Sequence, residues 1–134
     1  MPTVRYLLDT NMASYVIKGT VAPVRERLLT LPMSQVGIST VTEAELRFGV
    51  AKKPEAKHLK TVVEEFLLRI EVVPWASEAA KQYASLRAVL KREGTPMGNL
   101  DLMIAAQALA TDAILVTHDQ VFQRVRRLKT EDWC

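Results

Sequence analysis

The sequence predicts an α/β fold, a three-layer α/β/α sandwich with a mostly parallel central sheet. Short apolar stretches rich in β-branched residues alternate along the chain with longer segments of helical periodicity. Crossover helices bury both faces of a parallel sheet, and this explains why the predicted strands are apolar throughout. The 134 residues, 49% of them hydrophobic, are enough for one packed core. We therefore expect a single domain spanning residues 1–134.

Each predicted element in the first half of the chain has a local signal. Apolar residues spaced three and four apart indicate helices, and Gly or Pro ends them. Thr40 and Thr42, each followed three residues later by a glutamate, predict two overlapping capping boxes for the helix that contains "EAELRFGV". The other predicted elements are a strand over 4–8, helices over 12–18 and about 23–31, a strand over 36–39, and a helix over 56–70.

The second half continues the same alternation. A strand at "EVVP" precedes a long helix over about 77–92, which Gly94 and Pro96 end. Asp101 is predicted to open an apolar helix that runs to residue 110, and "AILVT" at 113–117 is the clearest strand of the chain. Asp119 can cap a helix that begins at residue 120. The segment 128–133 predicts a last edge strand.

Composition limits the cellular context and the partners. The one cysteine, Cys134, has no second cysteine to pair with, which suits a reducing cytoplasm. The first apolar run ends at Asp9, too early for a signal peptide, and no apolar segment is long enough to span a bilayer. We expect a soluble cytoplasmic protein that does not use a membrane. A net charge of +3 permits anionic partners but does not require them.

Acidic residues follow the predicted strands at the ends where parallel strands share an edge. Asp9 follows the first strand, Glu43 and Glu45 follow the second within about a helical turn, and Asp119 follows "AILVT". Asp101 reaches the same edge if its helix packs beside the first strand. Residues beyond the carboxyl ends of parallel strands line a common crevice. The sequence therefore predicts a cluster of carboxylates there.

Each acid also has a structural explanation as a helix cap or as a complement to a helix N-terminus. Capping does not require a carboxylate, however, and several carboxylates close together repel unless their pKa values shift or a cation binds. Clustered oxygen ligands favour Mg²⁺, with Mn²⁺ as the alternative. Zinc is disfavoured because the one cysteine and the histidines at 58 and 118 have no recognisable ligand spacing.

A carboxylate-held Mg²⁺ in an open crevice is typical of phosphate chemistry, in which it activates water and neutralises the scissile phosphate. The chain has no Gly-rich phosphate loop, no G-x-S-x-G elbow and no cysteine placed as a nucleophile. Two alternatives remain open at this point. One is a protein-binding module that uses its acidic crevice without catalysis, and the other is a general metal-dependent phosphoesterase or DNA nuclease.

Five stretches, in order along the chain, resemble the PIN domain and within it the VapC-type toxins of bacterial toxin–antitoxin pairs. They are "LLDTN" at 7–11, "ISTVTEAELRFGV" at 38–50, "GNLDLMIAAQA" at 98–108, "ILVTHDQVFQRV" at 114–125 and "LKTEDW" at 128–133. The resemblance implies a PIN-like fold and a Mg²⁺-dependent endoribonuclease that cleaves RNA. It also implies neutralisation by a cognate antitoxin protein and a homodimer within that complex.

The resemblance implies roles for particular residues. Asp9 and Asp101 match the first and third family acids, Glu45 matches the family glutamate better than Glu43, and Asp119 matches a fourth site that varies. These four are the predicted catalytic and metal-binding residues, Asp9, Glu45, Asp101 and Asp119. Asn11 and Thr117 match polar positions that support the acids, and hydrogen bonds of this kind orient metal ligands.

RNA contacts are predicted from basic residues near the acids. Arg47 and the runs "KRE" at 91–93 and "RVRRLK" at 124–129 can bind a phosphate backbone. The alternative for these side chains is a solvated helix face. His118 is interpreted as a neutral loop residue rather than a proton donor.

Overall fold

The centre of the molecule is a five-stranded sheet whose four pairings are all parallel. The structure is a computed structural model that describes residues 4–134, so the first three residues of the predicted domain lie outside it. The spatial order of the strands is β3-β2-β1-β4-β5. Their bounds are β1 Tyr6–Leu8, β2 Val36–Ser39, β3 Glu71–Val73, β4 Ile114–Val116 and β5 Thr130–Glu131.

Six α-helices within residues 4–134 cover the two faces of the sheet. Their bounds are α1 Thr10–Lys18, α2 Ala22–Leu29, α3 Thr40–Ala51, α4 Lys57–Arg69, α5 Ser77–Arg92 and α6 Asn99–Thr111. Two short 3₁₀ helices, Met33–Gln35 and Gln120–Arg124, complete the described elements. The three-layer α/β/α fold with a parallel sheet is thus confirmed. No helix within residues 4–134 is both long and apolar enough to cross a membrane.

The core lies in two clusters, one on each face of the sheet. Leu7 and Leu115 point toward α5 and α6, and they pack against Leu86 and Leu102 in the first cluster. Tyr6, Leu8 and Val116 point the other way, toward buried residues of α1 to α4. This division follows from the pleat of a strand, in which successive side chains point to opposite faces. Helices cover both faces, and the residues that follow the strands at their carboxyl ends line a crevice where a site can form.

Two predicted helix starts are wrong, and the backbone gives the reason. The capping boxes at Thr40 and Thr42 do not form, because Ser39 caps α3 by accepting a 3.1 Å hydrogen bond from the Val41 N–H. Both threonines lie inside the helix. Asp101 does not open α6, which begins at Asn99 after the extended residue Gly98 and leaves Asp101 in the first turn. The predicted cap at Asp119 is confirmed by a 2.9 Å hydrogen bond from the Val121 N–H.

Candidate active site

Asp9 lies where β1 ends and α1 begins, buried with 4% of its surface exposed. Its Oδ1 accepts a 2.8 Å hydrogen bond from the Met12 N–H and so caps the helix. Its Oδ2 accepts a 2.5 Å hydrogen bond from the Thr117 hydroxyl. Capping therefore accounts for one carboxylate oxygen, and the second is held by a residue from the neighbouring strand.

Thr117 connects two of the predicted acids. It directly follows β4, where its backbone N–H donates to the Glu131 carbonyl at 2.9 Å, and only 4% of its surface is exposed. Its hydroxyl donates to Asp9 and accepts a 3.0 Å hydrogen bond from the Asp119 N–H. The loop after β4 is thereby pinned to the end of β1, with the Asp119 side chain exposed at its rim.

Glu45 lies on α3 and is held by a residue of α1. The Thr10 hydroxyl donates a 2.6 Å hydrogen bond to Glu45 Oε1 and lies 3.3 Å from the hydroxyl of the buried Thr42. Thr10 immediately follows Asp9, so the capping turn that positions Asp9 also positions the donor for Glu45. Thr10 has no predicted role in the sequence and Thr42 is predicted only as a helix cap, although "DTN" places a hydroxyl beside the first acid.

Glu43 lies on a different face of α3. Residues two apart on a helix are separated by about 200° around its axis. Glu43 forms an ion pair of 2.8 Å with Arg47, one turn further along on the same face. The structure therefore brings Glu45, and not Glu43, to the other acids. It also places Arg47, the predicted RNA contact, beside Glu43 and away from them.

Asp101 projects from the first turn of α6, and two contacts, one buried and one half-buried, hold that helix in place. The Ser39 hydroxyl at the end of β2 donates to Gln107 Oε1 at 3.0 Å. The Trp75 indole N–H donates to the Met103 carbonyl at 2.9 Å, while the Trp75 backbone N–H donates to Thr40 of α3 at 3.1 Å. Trp75 therefore links the helix of Asp101 to the helix of Glu45, a function that sequence patterns do not reveal.

The four acids lie close enough for their charges to affect one another's pKa values. Burial raises the pKa of Asp9, its hydrogen bonds oppose this, and the charges of Asp119 and Glu45 raise the pKa further. Burial also raises the pKa of Asp101, and the charges of Asp119, Glu45 and Asp9 add to that effect. Within residues 4–134, no lysine, arginine or histidine forms an ion pair with any of these four carboxylates. The acidic pocket, as we call these four residues, thus has no cation of its own.

Other residues with predicted roles lie outside the hydrogen bonds of this pocket. Asn11 is exposed, and within the described part of the chain its side chain donates no hydrogen bond to Asp9. Three of the predicted basic contacts are already engaged by protein groups, and their RNA roles stay predictions. Arg124 donates to the Pro96 carbonyl, Arg126 to Glu93 at 3.0 Å and Arg127 to Gln82 at 3.0 Å.

The amino-acid sequence that builds this fold and this pocket matches a known family. A sequence profile of the PIN domain matches residues 6–128. The chain belongs to the PIN-domain family. It is 39% identical over 130 residues to the tRNA(fMet)-specific endonuclease VapC of Shigella flexneri, covering 96% of this chain and 98% of that protein. The resemblance stated from the sequence is therefore confirmed.

Solved structures of other PIN-domain proteins have the same fold. The DNA-bound VapBC of Salmonella typhimurium superimposes with a TM-score of 0.91 at 36% identity, over 98% of this chain and 100% of that one. VapBC2 of Rickettsia felis, bound to a DNA fragment from its promoter, gives a TM-score of 0.89 at 31% identity, again over 98% and 100%. This PIN domain therefore matches such relatives along nearly its whole length.

Proposed function

We propose that this PIN-domain protein is a metal-dependent endoribonuclease and the toxin of a toxin–antitoxin pair. The observation that carries the proposal is the acidic pocket, in which Asp9, Glu45, Asp101 and Asp119 interact without a cationic side chain among the described residues. The names of its relatives support the choice of RNA as the substrate, because the Shigella protein is a tRNA(fMet)-specific endonuclease. Initiator tRNA is accordingly the first RNA to test.

The acidic pocket suits a hard divalent cation, and we infer Mg²⁺, with Mn²⁺ able to replace it. Its donor atoms are carboxylate oxygens, the ligands that Mg²⁺ accepts and that do not select zinc. Burial is the main cause of the raised pKa values of Asp9 and Asp101, and neighbouring carboxylates raise them further, so a bound cation would stabilise the charged forms against both effects. Asp9, Glu45, Asp101 and Asp119 are the residues that would hold it.

The chain's own residues orient the site for in-line hydrolysis. When bound, the cation supplies a more acidic water and neutralises charge on the scissile phosphate. Thr117 and the Met12 N–H hold Asp9, and Thr10 holds Glu45, so that these carboxylates keep one orientation. A water oxygen would bond to phosphorus while its proton passes to a carboxylate of the pocket, and the leaving oxygen would depart with the bonding electron pair and take a proton from solvent. Both oxygens of Asp9 already accept hydrogen bonds, which makes the less encumbered Asp101 the better proton acceptor.

The antitoxin is proposed to dock in a groove between α1, α2 and α4. The groove has a volume of about 600 Å³ and is lined by Val16, Ile17, Leu28, Met33, Val62 and Phe66. Glu65 and Arg69 at its rim offer one charge of each sign. An amphipathic partner segment with apolar anchors fits such a lining. VapBC structures of relatives support the existence of this partner.

We further propose that the chain acts as one nuclease domain and forms a homodimer within the complex with its antitoxin. We place the protein in the cytoplasm, because its proposed RNA substrate and antitoxin are present there. The cysteine content predicts the same location. Light scattering of the purified complex measures its mass, and a complex with a single toxin chain would contradict the dimer.

The nuclease proposal is tested with purified protein freed of antitoxin. RNA including initiator tRNA should be cleaved with Mg²⁺ and left intact with EDTA, and DNA of equal sequence should not be cut. Asp101→Asn should lower the rate by at least about 100-fold, since removing a metal ligand costs more than the 10–100-fold typical of its supporting residues. The matched control is Asp112→Asn at the other end of α6, where the backbone φ of 56° is one that asparagine accepts.

Each result discriminates between the candidate functions. Equal cleavage by wild type, Asp9→Asn and Asp101→Asn would remove the site assignment. Equal cutting of RNA and DNA would favour the general phosphodiesterase or DNA nuclease. Tight metal binding without any cleavage would favour the non-catalytic binding module.

A further inference from the structure

A second cluster of metal-ligating side chains lies outside the acidic pocket. His118, Asp132 and Cys134 each offer one ligand atom, and the three atoms lie within 4.8 Å of one another. All three residues are exposed. His118 Nδ1 and Asp132 Oδ2 are 2.7 Å apart. The cluster therefore combines imidazole nitrogen, carboxylate oxygen and thiol sulfur, a different donor set from the carboxylates of the pocket.

The sheet builds this cluster from residues far apart in the sequence. Strands β4 and β5 pair in parallel with Val116 opposite Glu131, so the residues that follow each strand leave the sheet side by side. Trp133 is buried, with 6% of its surface exposed, and its ring lies 5.6 Å from that of Tyr6. The burial of Trp133 anchors the segment, and its two neighbours in sequence lie on the exposed side beside His118.

Further contacts hold the segment in this conformation. The Cys134 N–H donates a 2.9 Å hydrogen bond to Asp132 Oδ1, which closes a tight turn between the two ligands. Arg27 lies over the rings of both Tyr6 and Trp133, at 5.5 Å and 5.6 Å from their centroids. The backbone of the proposed ligands is therefore ordered before any cation binds, which lowers the entropic cost of binding.

We propose that His118, Asp132 and Cys134 form a binding site for a borderline-soft divalent cation of the Zn²⁺ class. Tetrahedral zinc with bonds of about 2.0–2.3 Å holds its ligand atoms roughly 3.3–3.8 Å apart. The present separations, 2.7 Å for the His118–Asp132 pair and at most 4.8 Å for the others, require shifts of about 1 Å that exposed side chains can make. Water completes the fourth position.

The donor set separates this site from the acidic pocket. Thiolate and imidazole select Zn²⁺ and Co²⁺, whereas the all-carboxylate pocket suits Mg²⁺. On binding, the Cys134 thiol loses one proton to solvent, and His118 coordinates through Nδ1 with its ring proton on Nε2. The Asp132 carboxylate exchanges its hydrogen bond with His118 for a bond to the cation. Sequence spacing does not reveal the site, because only the pairing of β4 with β5 brings residue 118 to residues 132 and 134.

The test uses Co²⁺ as a spectroscopic probe of the 134-residue chain, in reducing buffer and in the presence of excess Mg²⁺ to occupy the acidic pocket. We expect a near-ultraviolet thiolate-to-cobalt band that saturates at one Co²⁺ per chain and disappears on addition of Zn²⁺. Cys134→Ser should abolish the band. His118→Gln and Asp132→Asn should each weaken Co²⁺ binding by about tenfold or more. His58→Gln is the matched control, because it removes the second histidine of the chain, which is exposed on α4. This variant should bind Co²⁺ as wild type does.

Zn²⁺ should also raise the melting temperature of wild type and of His58→Gln but not that of Cys134→Ser, a readout that does not depend on nuclease activity. Absence of the band in wild type would overturn the proposal. So would undiminished affinity in His118→Gln, because that result would mean that Cys134 binds Co²⁺ alone. Failure here leaves the acidic pocket and its proposed function unaffected, since the two sites share no residue.

Discussion

The hydroxyl of Thr117 donates a 2.5 Å hydrogen bond to Oδ2 of Asp9 across 108 residues of sequence. The two residues follow β4 and β1, neighbouring parallel strands at the centre of the sheet. Strands β2 and β3, which follow β1 in the chain, lie on one side of β1, and β4 lies on its other side. Where the strand order reverses in this way, a crevice forms at the carboxyl ends of the strands. The hydrogen bond thus spans the place where the topology of an α/β sheet favours a site.

The first prediction concerns this hydrogen bond. Thr117→Val keeps the side-chain shape but removes the only hydroxyl donor to Oδ2 of Asp9 found among residues 4–134. A buried carboxylate oxygen then lacks a partner, which should lower the free energy of unfolding by about 1–3 kcal/mol. Metal-dependent cleavage should fall roughly 10–100-fold, as is typical for residues that orient metal ligands. Urea unfolding and cleavage rates measure the two effects.

Thr117→Ser restores a hydroxyl and should recover most of the activity. Thr61→Val is the matched control, because Thr61 is an exposed helical threonine whose hydroxyl donates only to the Lys57 carbonyl. Full activity in Thr117→Val would show that the hydrogen bond to Asp9 has no role in positioning the site.

The second prediction concerns the pH dependence of stability without metal. The folded-state pKa of Asp101 is raised above the ordinary value of 3.8, chiefly by burial and then by the neighbouring acids. The folded state therefore binds this proton more tightly than the unfolded state does. The resulting contribution to stability is complete below that value and is lost as the pH rises through the raised pKa. Asp101→Asn should remove the effect, so the variant gains stability over wild type as the pH rises.

Urea unfolding in EDTA, repeated between about pH 4 and pH 7, measures this difference. Added Mg²⁺ should reverse it at pH 7, because a ligand that binds only the folded state stabilises that state. Asp112→Asn should follow the wild-type curve more closely. A difference between wild type and Asp101→Asn that is constant with pH would contradict the electrostatic coupling in the acidic pocket.

The third prediction compares two glycines. A Cβ on Gly37 in β2 would lie 2.9 Å from the Glu71 carbonyl oxygen and 2.9 Å from a Val4 methyl group, so Gly37→Ala must displace backbone. We expect a loss of about 1–3 kcal/mol in the free energy of unfolding, as for other overpacked cores. Gly49→Ala in α3 meets no atom within 4 Å and should stabilise by up to about 1 kcal/mol. Thermal unfolding of both variants measures the contrast, and similar effects would contradict the close packing around β2.

The fold was predictable because its signals are local. Runs of apolar residues predict all five strands within one or two residues, except that the broad segment 128–133 shortens to Thr130–Glu131. Helix starts were less predictable. Ser39, Thr40 and Thr42 each have a hydroxyl that can cap a helix, and the sequence does not show that Ser39 is the one that caps α3. No sequence pattern predicts the 3₁₀ helix Met33–Gln35, which directly precedes β2.

The proximity of two candidate-site residues was predictable from topology alone. Residues after parallel strands meet at one edge, which predicts that Asp9 and Asp119 lie close together, while their catalytic roles stay predictions. The distinction between Glu43 and Glu45 rested on resemblance, and it is the rotation of α3 that turns Glu43 toward Arg47. Contacts that depend on how the helices pack, such as Thr10 with Glu45 and Trp75 with Met103, leave no periodic trace in the sequence.

The fourth prediction tests the groove proposed for the antitoxin. Met33 lines it and is 40% exposed, so Met33→Glu should leave the free protein folded. A carboxylate facing an apolar partner segment must lose water on binding without gaining a partner, which we expect to weaken antitoxin binding by at least tenfold. Leu68→Glu is the matched control, because Leu68 is 86% exposed on another face of α4 and lies outside the groove.

The antitoxin for this measurement is the product of the small reading frame expected beside the gene, co-expressed with each variant and then titrated by calorimetry. Met33→Glu should also keep its nuclease activity when antitoxin is added at concentrations that inhibit wild type. Because the groove and the acidic pocket share no residue, loss of inhibition with intact cleavage assigns the effect to docking rather than to catalysis. Equal inhibition of Met33→Glu and wild type would instead place the antitoxin on another surface.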